Sequence, residues 1–420
     1  MNSMNNKIFI QVASYRDPQL VPTIKDCLAQ AAFPENLVFG IAWQHNNNDT
    51  WDTLDEFRGD PRFRIIDIPY EESQGACWAR NLIQKVYQNE EYTLQLDSHH
   101  RFIKNWDTEC ISMITQLQDK GYPKPVLTSY ISSFDPENDP EKRAEAPWRM
   151  VFDRFIPEGA VFFLPTDIPN WKELTEPVAS RFYSAHFCFT LGSFAQEVQH
   201  DPNYYFHGEE ISIAARAYTW GYDLFHPHKV IAWHEYTRKG RSKQWDDDKK
   251  WGEKNALCHA RNRKLFEMDG EIQNIDFGRY GFGPVRTLED YEKYAGINFK
   301  KRSIQQYTKD TLYPPNPILS EDEYEKSWLR IFKHCIDISY STVPDDDYTT
   351  WVIAFEDEHG KEVYRRDVNA EEIQKYLNQK STEEYIKIWR EFHTETQPKK
   401  WIFWPHSKSK GWHDRMERNI

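Results

Sequence analysis

The chain has 420 residues, of which 39% are hydrophobic and 28% charged, enough apolar content for more than one packed core and too much for long disorder. A net charge of −13 excludes a global basic footprint, so no nucleic-acid partner is expected. Mean hydropathy is −0.82, and no apolar run reaches the ~18 residues of a spanning helix. The opening MNSMNNKIFIQVAS lacks the apolar core of a secretory leader, and the six cysteines are scattered without a CxxC pair. The expectation is a reduced, cytoplasmic chain. Aromatic residues reach 15%, with 16 Trp and 23 Tyr, which suits stacking on sugars or nucleobases and equally suits the filling of cores.

In chain order, KIFIQVAS (7–14) reads as a short buried strand, and Asp17-Pro18 opens a helix running to Ala31. LVFGIAWQ (37–44) and FRIIDI (63–68) read as further strands, and Gly75 to Gln88 as a helix. YTLQLD (92–97) is a fourth strand, Trp106–Leu117 a helix, and VLTSY (126–130) a fifth strand. Strands alternating with helices at this spacing predict an α/β fold, with a Rossmann-like parallel sheet covered on both faces. Ligands of such sheets sit beyond the carboxyl ends of the strands, which selects Ser14 to Asp17, Gln44 to Asp49 and Asp97 to His100.

From 148 to 192 the pattern changes to antiparallel strands, WRMVFDRF, AVFFLP and SAHFCFTLG. Glu209–Gly221 is a predicted helix, LFHPHKVIAWHEY a strand, 238–252 a charged mobile loop and 253–268 a helix. Residues 303–320 carry Pro314-Pro315-Asn316-Pro317 and read as a linker. Beyond it, CIDISYS and YTTWVIAFEDEHGKEVYRRDV, turning at Glu358-His359-Gly360, read as strands, followed by a helix, AEEIQKYLNQ. The expected organisation is a first domain over 1–302, a linker over 303–320 and a small β-rich accessory domain over 321–420. No internal repeat is evident.

Five clusters carry candidate chemistry. An apolar strand ends in Asp97-Ser98-His99-His100, and Asp97 and His99, two apart on extended backbone, share a face. A carboxylate with an imidazole suits Mn²⁺ or a similar divalent ion that keeps positions open for phosphate oxygens. His234 follows the run Val230–Trp233, so it too sits at a strand end and offers a third ligand, whereas His226 and His228 beside Pro227 read as packing residues. His207-Gly208-Glu209-Glu210 opens a helix: two carboxylates there complement the helix dipole, or one reaches a substrate hydroxyl. Gly75-Ala76-Cys77-Trp78-Ala79-Arg80 is a small-residue helix start whose Arg80 is able to pair bidentately with phosphate, although it is neither a GxGxxG nor a Walker A sequence. Arg238-Lys239-Gly240-Arg241-Ser242 places cations next to His234, where a diphosphate leaving group would lie; a charged loop is otherwise simply solvated.

Together these segments resemble the glycosyltransferase family typified by the cytoplasmic polypeptide (hydroxyproline) α-N-acetylglucosaminyltransferase. The resemblance rests on IFIQVASYRDPQLVPTIKDCLAQAAFPENLVFGIAWQ, GACWARNLIQKVY, LQLDSHHRFIKNWD, DPNYYFHGEEISIAARAYTWGYDLFHP and GRYGFGPVRTLEDYEKYAGINF, over roughly 7–300. It implies a GT-A fold, a UDP-sugar donor with UDP-GlcNAc favoured, Mn²⁺ or Mg²⁺ as the divalent metal, and transfer with retention to a protein or glycan hydroxyl. The more distant mucin-type GalNAc-transferases are similar in a DxH motif and a later His ligand. By resemblance, Asp97, His99 and His234 are the metal ligands. Ser14, Tyr15, Arg16 and Arg80 meet the donor, with Arg238 and Arg241 on the diphosphate side, and Glu209 and Glu210 are the acidic pair facing sugar or acceptor. The stretch from about 320 onward lies outside the resemblance. There KKWIFWPHSKSKGWHDRMER mixes cations with aromatics, a composition that fits peripheral contact with an anionic membrane, a glycan surface, or packing on its own domain. The alternatives to a GlcNAc-transferase are a GT-A enzyme of polysaccharide or glycolipid synthesis using another UDP-sugar, a nucleotide-sugar hydrolase, and a non-catalytic sugar- or nucleotide-binding module.

Overall fold

The computed structural model describes residues 6–51, 53–268, 276–379 and 384–420. They fall into two compact units: one takes the chain to Lys300 together with Tyr307–Ile318, the other Lys301–Gln306 together with Leu319–Ile420. The stretch read as a linker is therefore divided. It contains a short strand, Ser303–Gln305, and a helical turn, Gln306–Lys309.

The first unit begins with β1 (Ile8–Tyr15), α1 (Leu20–Gln30), β2 (Leu37–His45), β3 (Phe63–Pro69), α2 (Ala76–Gln84) and β4 (Tyr92–Asp97). β1 pairs in parallel with β2 and with β4, and β2 with β3, so the edge-to-centre order is β3-β2-β1-β4. Parallel strands are buried on both faces, which is why the segments read as continuous apolar runs rather than alternating ones. One face carries α1 and α3 (Trp106–Asp119) over a core of Ile10, Phe39, Leu94, Trp106 and Ile114; the other carries α2 over Phe9, Val38, Ala79 and Ile83. Between β4 and α3 lies β5 (His100–Phe102).

After β6 (Pro125–Thr128) comes an antiparallel hairpin, β7 (Trp148–Phe155) and β8 (Val161–Asp167), then β9 (Val178–Ala179). Of the three antiparallel segments, β10 (Phe187–Leu191) belongs to the main sheet, where it runs antiparallel between β4 and β6. After β10 come α4 (Phe194–Glu197) and α5 (Glu209–Thr219), and the sheet ends in β11 (Asp223–His226) and β9.

The single strand expected from Leu224 to Tyr236 is two. Pro227 has no N–H to continue a ladder, and the chain leaves the main sheet after β11. It resumes as β12 (Ala232–His234), which pairs antiparallel with β5 in the register Ala232↔Phe102, Trp233↔Arg101, His234↔His100. The stretch 238–252, expected as a mobile loop, contains a short helix, α6 (Gln244–Asp247), and the first turn of α7 (Trp251–Leu265).

In the second unit, Ile331–Ser339 pairs antiparallel with Tyr385–His393, and Tyr348–Glu356 is the centre of a separate sheet flanked by Glu362–Arg365 and Lys400–Ser407. Trp351, Ile353, Phe355, Ile388 and Phe403 form its core, covered by the helix Ala370–Leu377. Of the tail aromatics, Trp401 and Phe403 are buried and Trp412 is half exposed. No helix among the described residues is long and apolar enough to cross a membrane.

Candidate metal and nucleotide-sugar site

The carboxyl ends of β1 and β4 open onto a cleft of about 160 Å³. Its wall is made by Tyr15, Asp17, Arg80, Asp97, His99 and His234, and its mouth by Phe206, Arg238, Arg241 and Trp245.

Asp97, His99 and His234 offer one carboxylate oxygen and two imidazole nitrogens within 4.8 Å of one another. Asp97 ends β4, His99 lies two residues on, and the β5–β12 pairing brings His234 opposite His100. Nε2 of His234 is 3.5 Å and Nε2 of His99 3.7 Å from Asp97 Oδ2. Both ring nitrogens of His234 are buried without a hydrogen-bond partner. Burial pushes the His234 imidazole well below its ordinary range, so the ring is neutral and keeps a lone pair. Burial opposes ionisation of Asp97, but His234, Arg80 and His99 outweigh it and hold the carboxyl well below the usual range. A part-buried carboxylate and two imidazoles, that of His234 neutral and without a hydrogen-bond partner, are a donor set that fits a divalent cation.

Behind the ligands stands Asp17, which the sequence places in the ligand-bearing stretch Ser14 to Asp17 without assigning it a role. Its Oδ2 lies 2.7 Å from His99 Nδ1, accepts from Ser98 Oγ at 2.7 Å and from Arg241 Nη1 at 2.8 Å, while Oδ1 accepts from Gln19 N–H at 2.8 Å. Burial works against its charge, yet His99 and Arg241 bring its pKa down to about 2. A carboxylate on Nδ1 fixes the ring and directs the Nε2 lone pair into the cleft. Arg241 also touches His99, with Nη1 3.1 Å from Nε2, and reaches Glu235 at 3.4 Å.

Arg80 is placed by α2, whose N-cap Gly75 has φ +121°. A Cβ there would stand 2.6 Å from the Tyr205 carbonyl, which also accepts from Ala76 N–H at 3.0 Å. Arg80 then donates from Nη2 to Asp97 Oδ1 at 3.0 Å and lies 3.6 Å from Glu209. Glu209 and Glu210 open α5 (Glu209–Thr219) behind this arginine and are absent from the cleft wall. Glu210 accepts from Tyr130 Oη at 2.6 Å and from Ala185 N–H at 2.9 Å. Burial first, with mutual repulsion on Glu209, raises both carboxyls.

The remaining expected donor contacts divide. Tyr15 lines the cleft and donates to Asp247 at 2.8 Å. Arg16 lies outside the wall, paired with Asp49 at 2.7 Å and with Asp247 at 3.1 Å, and Ser14 is fully buried. Gln244 donates to Ser73 Oγ at 2.6 Å, so α6 is pinned across the cleft mouth through Tyr15, Arg16 and Ser73. Arg238 donates its N–H to Glu235 at 2.7 Å and lies over the Trp245 ring at 5.2 Å. His226 is a packing residue: Nδ1 donates to Thr128 O at 2.7 Å and Nε2 accepts from Met150 N–H at 3.3 Å.

Comparison with known proteins bears on this site. The profile of the family described as Glycosyltransferase (GlcNAc) matches residues 7–60 and 53–301, well over half of the chain. No curated protein matches. Among solved structures, GalNAc-T7 with UDP, GalNAc and Mn²⁺ aligns at TM-score 0.46 and 13% identity, over 68% of this chain and 53% of that one. S. aureus TarS 1–349 in complex with UDP-GlcNAc aligns at TM-score 0.36 and 12% identity, over 58% and 61%. The mannosyltransferase PcManGT from Pyrobaculum calidifontis, in complex with GDP-Man and Mn²⁺, aligns at TM-score 0.36 and 9% identity, over 56% and 58%. The chain thus spans about half the length of the GalNAc-T7 chain. With this profile match over well over half of the chain, on an α/β unit whose sheet is mostly parallel, the chain belongs to the family described as Glycosyltransferase (GlcNAc).

Proposed function

We propose that the chain transfers GlcNAc from UDP-GlcNAc to a hydroxyl group of a protein or glycan, with retention, using Mn²⁺ or Mg²⁺ held by Asp97, His99 and His234. The observation that carries this reading is the pair of buried, unpartnered ring nitrogens of His234 beside the Asp97 carboxylate, at the carboxyl end of a parallel sheet. When bound, a divalent cation there supplies the positive charge that offsets the departing diphosphate.

The chain's own residues do the rest. Asp17 orients His99 and keeps its Nδ1 occupied. Arg80 holds Asp97 in place and presents further N–H groups toward the cleft. Tyr15, Arg238 and Arg241 line the donor side, where the two arginines would offset the negative charge of the diphosphate. Glu209 and Glu210, whose carboxyls burial raises, stand behind Arg80, so their part in the reaction passes through the placing of that arginine. The departing phosphate accepts the proton of the attacking hydroxyl, so no separate base is needed. Ser14 and Arg16 shape the end of β1 from behind.

The test is thermal stabilisation by a panel of nucleotide sugars with and without Mn²⁺, since a ligand of the native state raises the melting temperature with its saturation. The expected result is a Mn²⁺-dependent rise with UDP-GlcNAc that Asp97→Ala abolishes together with transfer. A flat response to every UDP-sugar would leave the non-catalytic module ahead.

A further inference from the structure

Arg149 in β7 and Arg181 just after β9 are both more than nine-tenths buried. Buried guanidinium groups ordinarily face a carboxylate, because an unpaired charge away from water is costly. Here neither has an ion-pair partner among the described residues. Arg149 donates from Nη1 to Thr311 O at 2.8 Å and from Nη2 to Thr311 Oγ1 at 3.2 Å, while its buried Nε has no acceptor. Arg181 donates from Nε to Ala295 O at 2.9 Å, from Nη2 to Asn316 Oδ1 at 2.6 Å and from Nη1 to Leu312 O. Every acceptor is neutral, and five N–H groups per guanidinium leave donors over on both. Burial draws Arg181 down to about 10, with the like charge of Arg149 adding to it.

The two arginines line one cavity of about 20 Å³, shared with Ser180, His226, Thr308 and Tyr313. His226 adds no negative charge: burial lowers it to about 4, and its two nitrogens are bonded to Thr128 and Met150. The space is that of one or two water-sized spheres, which suits a monatomic anion such as a halide.

We propose that this cavity is a structural halide site, holding chloride between Arg149 and Arg181. The ion supplies the missing counter-charge and accepts N–H groups that the backbone leaves over. It thereby fastens the Thr311–Pro314 segment against β7 and β9, independently of the metal cleft and of the sugar-transfer reading.

The test compares melting temperature in sodium chloride and in sodium gluconate at equal ionic strength, together with anomalous scattering from bromide-grown crystals. The expected result is a saturable rise of about 2 °C with chloride or bromide over gluconate, the size that ~1 kcal/mol of linked binding gives in a domain this large. Arg149→Gln should abolish that rise, Arg149→Lys retain part of it, and a bromide peak should lie between the two guanidinium groups in the wild-type protein. Phosphate added at the same ionic strength should do nothing. Equal melting temperatures in the two salts with no bromide peak would overturn the proposal and leave a water there. A chloride effect that Arg149→Gln leaves intact would overturn it as well. The bromide map needs no variant, so it decides the matter even if Arg149→Gln fails to fold.

Discussion

Asp17 receives hydrogen bonds from Ser98, Gln19 and Arg241 and faces His99 Nδ1, all from a position shielded from water. Of these partners His99 is the one that offers a ligand atom to a cation, so the effect of Asp17 on a bound cation passes chiefly through that ring. Asp17→Asn keeps the shape and loses the charge. The amide accepts a bond from Nδ1–H more weakly and no longer favours that tautomer. Mn²⁺ affinity, read by titration calorimetry, should fall about 10- to 100-fold, the usual cost of removing a carboxylate from a metal-bound histidine. A merely structural Asp17 would lower the melting temperature without moving the Mn²⁺ dissociation constant. Strand alternation does not place it, because β1 ends at Tyr15 and Arg16 turns to φ +46° before Asp17 reaches the cleft wall. The helix-start signal of Asp17-Pro18 concealed its role.

Two elements decide where the remaining groups stand, and they differ in how far the sequence exposes them. The strand ending in Asp97-Ser98-His99 is legible because apolar residues stop abruptly at a carboxylate, and the parallel sheet follows from strand–helix alternation. His234 is another matter. Its place depends on β12 leaving the main sheet after Pro227 and pairing with β5, a long-range pairing that no local period encodes. The same is true of β10, an antiparallel strand inserted between β4 and β6. α6 escaped notice because it is four residues long, three of them polar, and is held by Tyr15, Arg16 and Ser73, far away in sequence. The start of α2 is again legible in part. Small residues announce a close approach, and the structure supplies the neighbour, the Tyr205 backbone. Gly75→Ala has to adopt φ near +121° with its methyl against that carbonyl, so we expect a loss of about 1–3 kcal/mol from strain alone. Urea denaturation measures that loss. Because α2 carries Arg80, the same variant should also weaken Mn²⁺ binding, whereas a variant that lost only stability would show that Arg80 does not depend on this turn.

Across the whole first unit, the balance of acid and base groups sets an unusual pH response. Its interior holds histidines kept neutral by burial, among them His200, bonded through Nε2 to Gln95 Oε1 at 2.7 Å, and His226 between Thr128 and Met150. A histidine whose folded pKa lies below the unfolded value binds fewer protons in the native state. It therefore stabilises the fold above about pH 6.5, and that stabilisation is lost as pH falls toward the folded value. For His226, going from 6.5 to about 4, the loss amounts to about 3 kcal/mol. Net charge acts the other way. At −13 the chain relieves its self-repulsion on mild acidification, which by itself would favour folding. The two effects have opposite signs between pH 7.5 and 5, so urea denaturation at those two values tells which dominates. Glu209 and Glu210, raised by burial to about 8 and about 7, bind protons more readily in the native state and oppose the histidines in the same window, so the histidine contribution is read from the difference between wild type and a histidine variant. His226→Gln keeps a neutral donor and acceptor in the same space. It should cost stability at pH 7.5 yet flatten the slope between the two pH values, and an unchanged slope would show that His226 takes up no proton on unfolding.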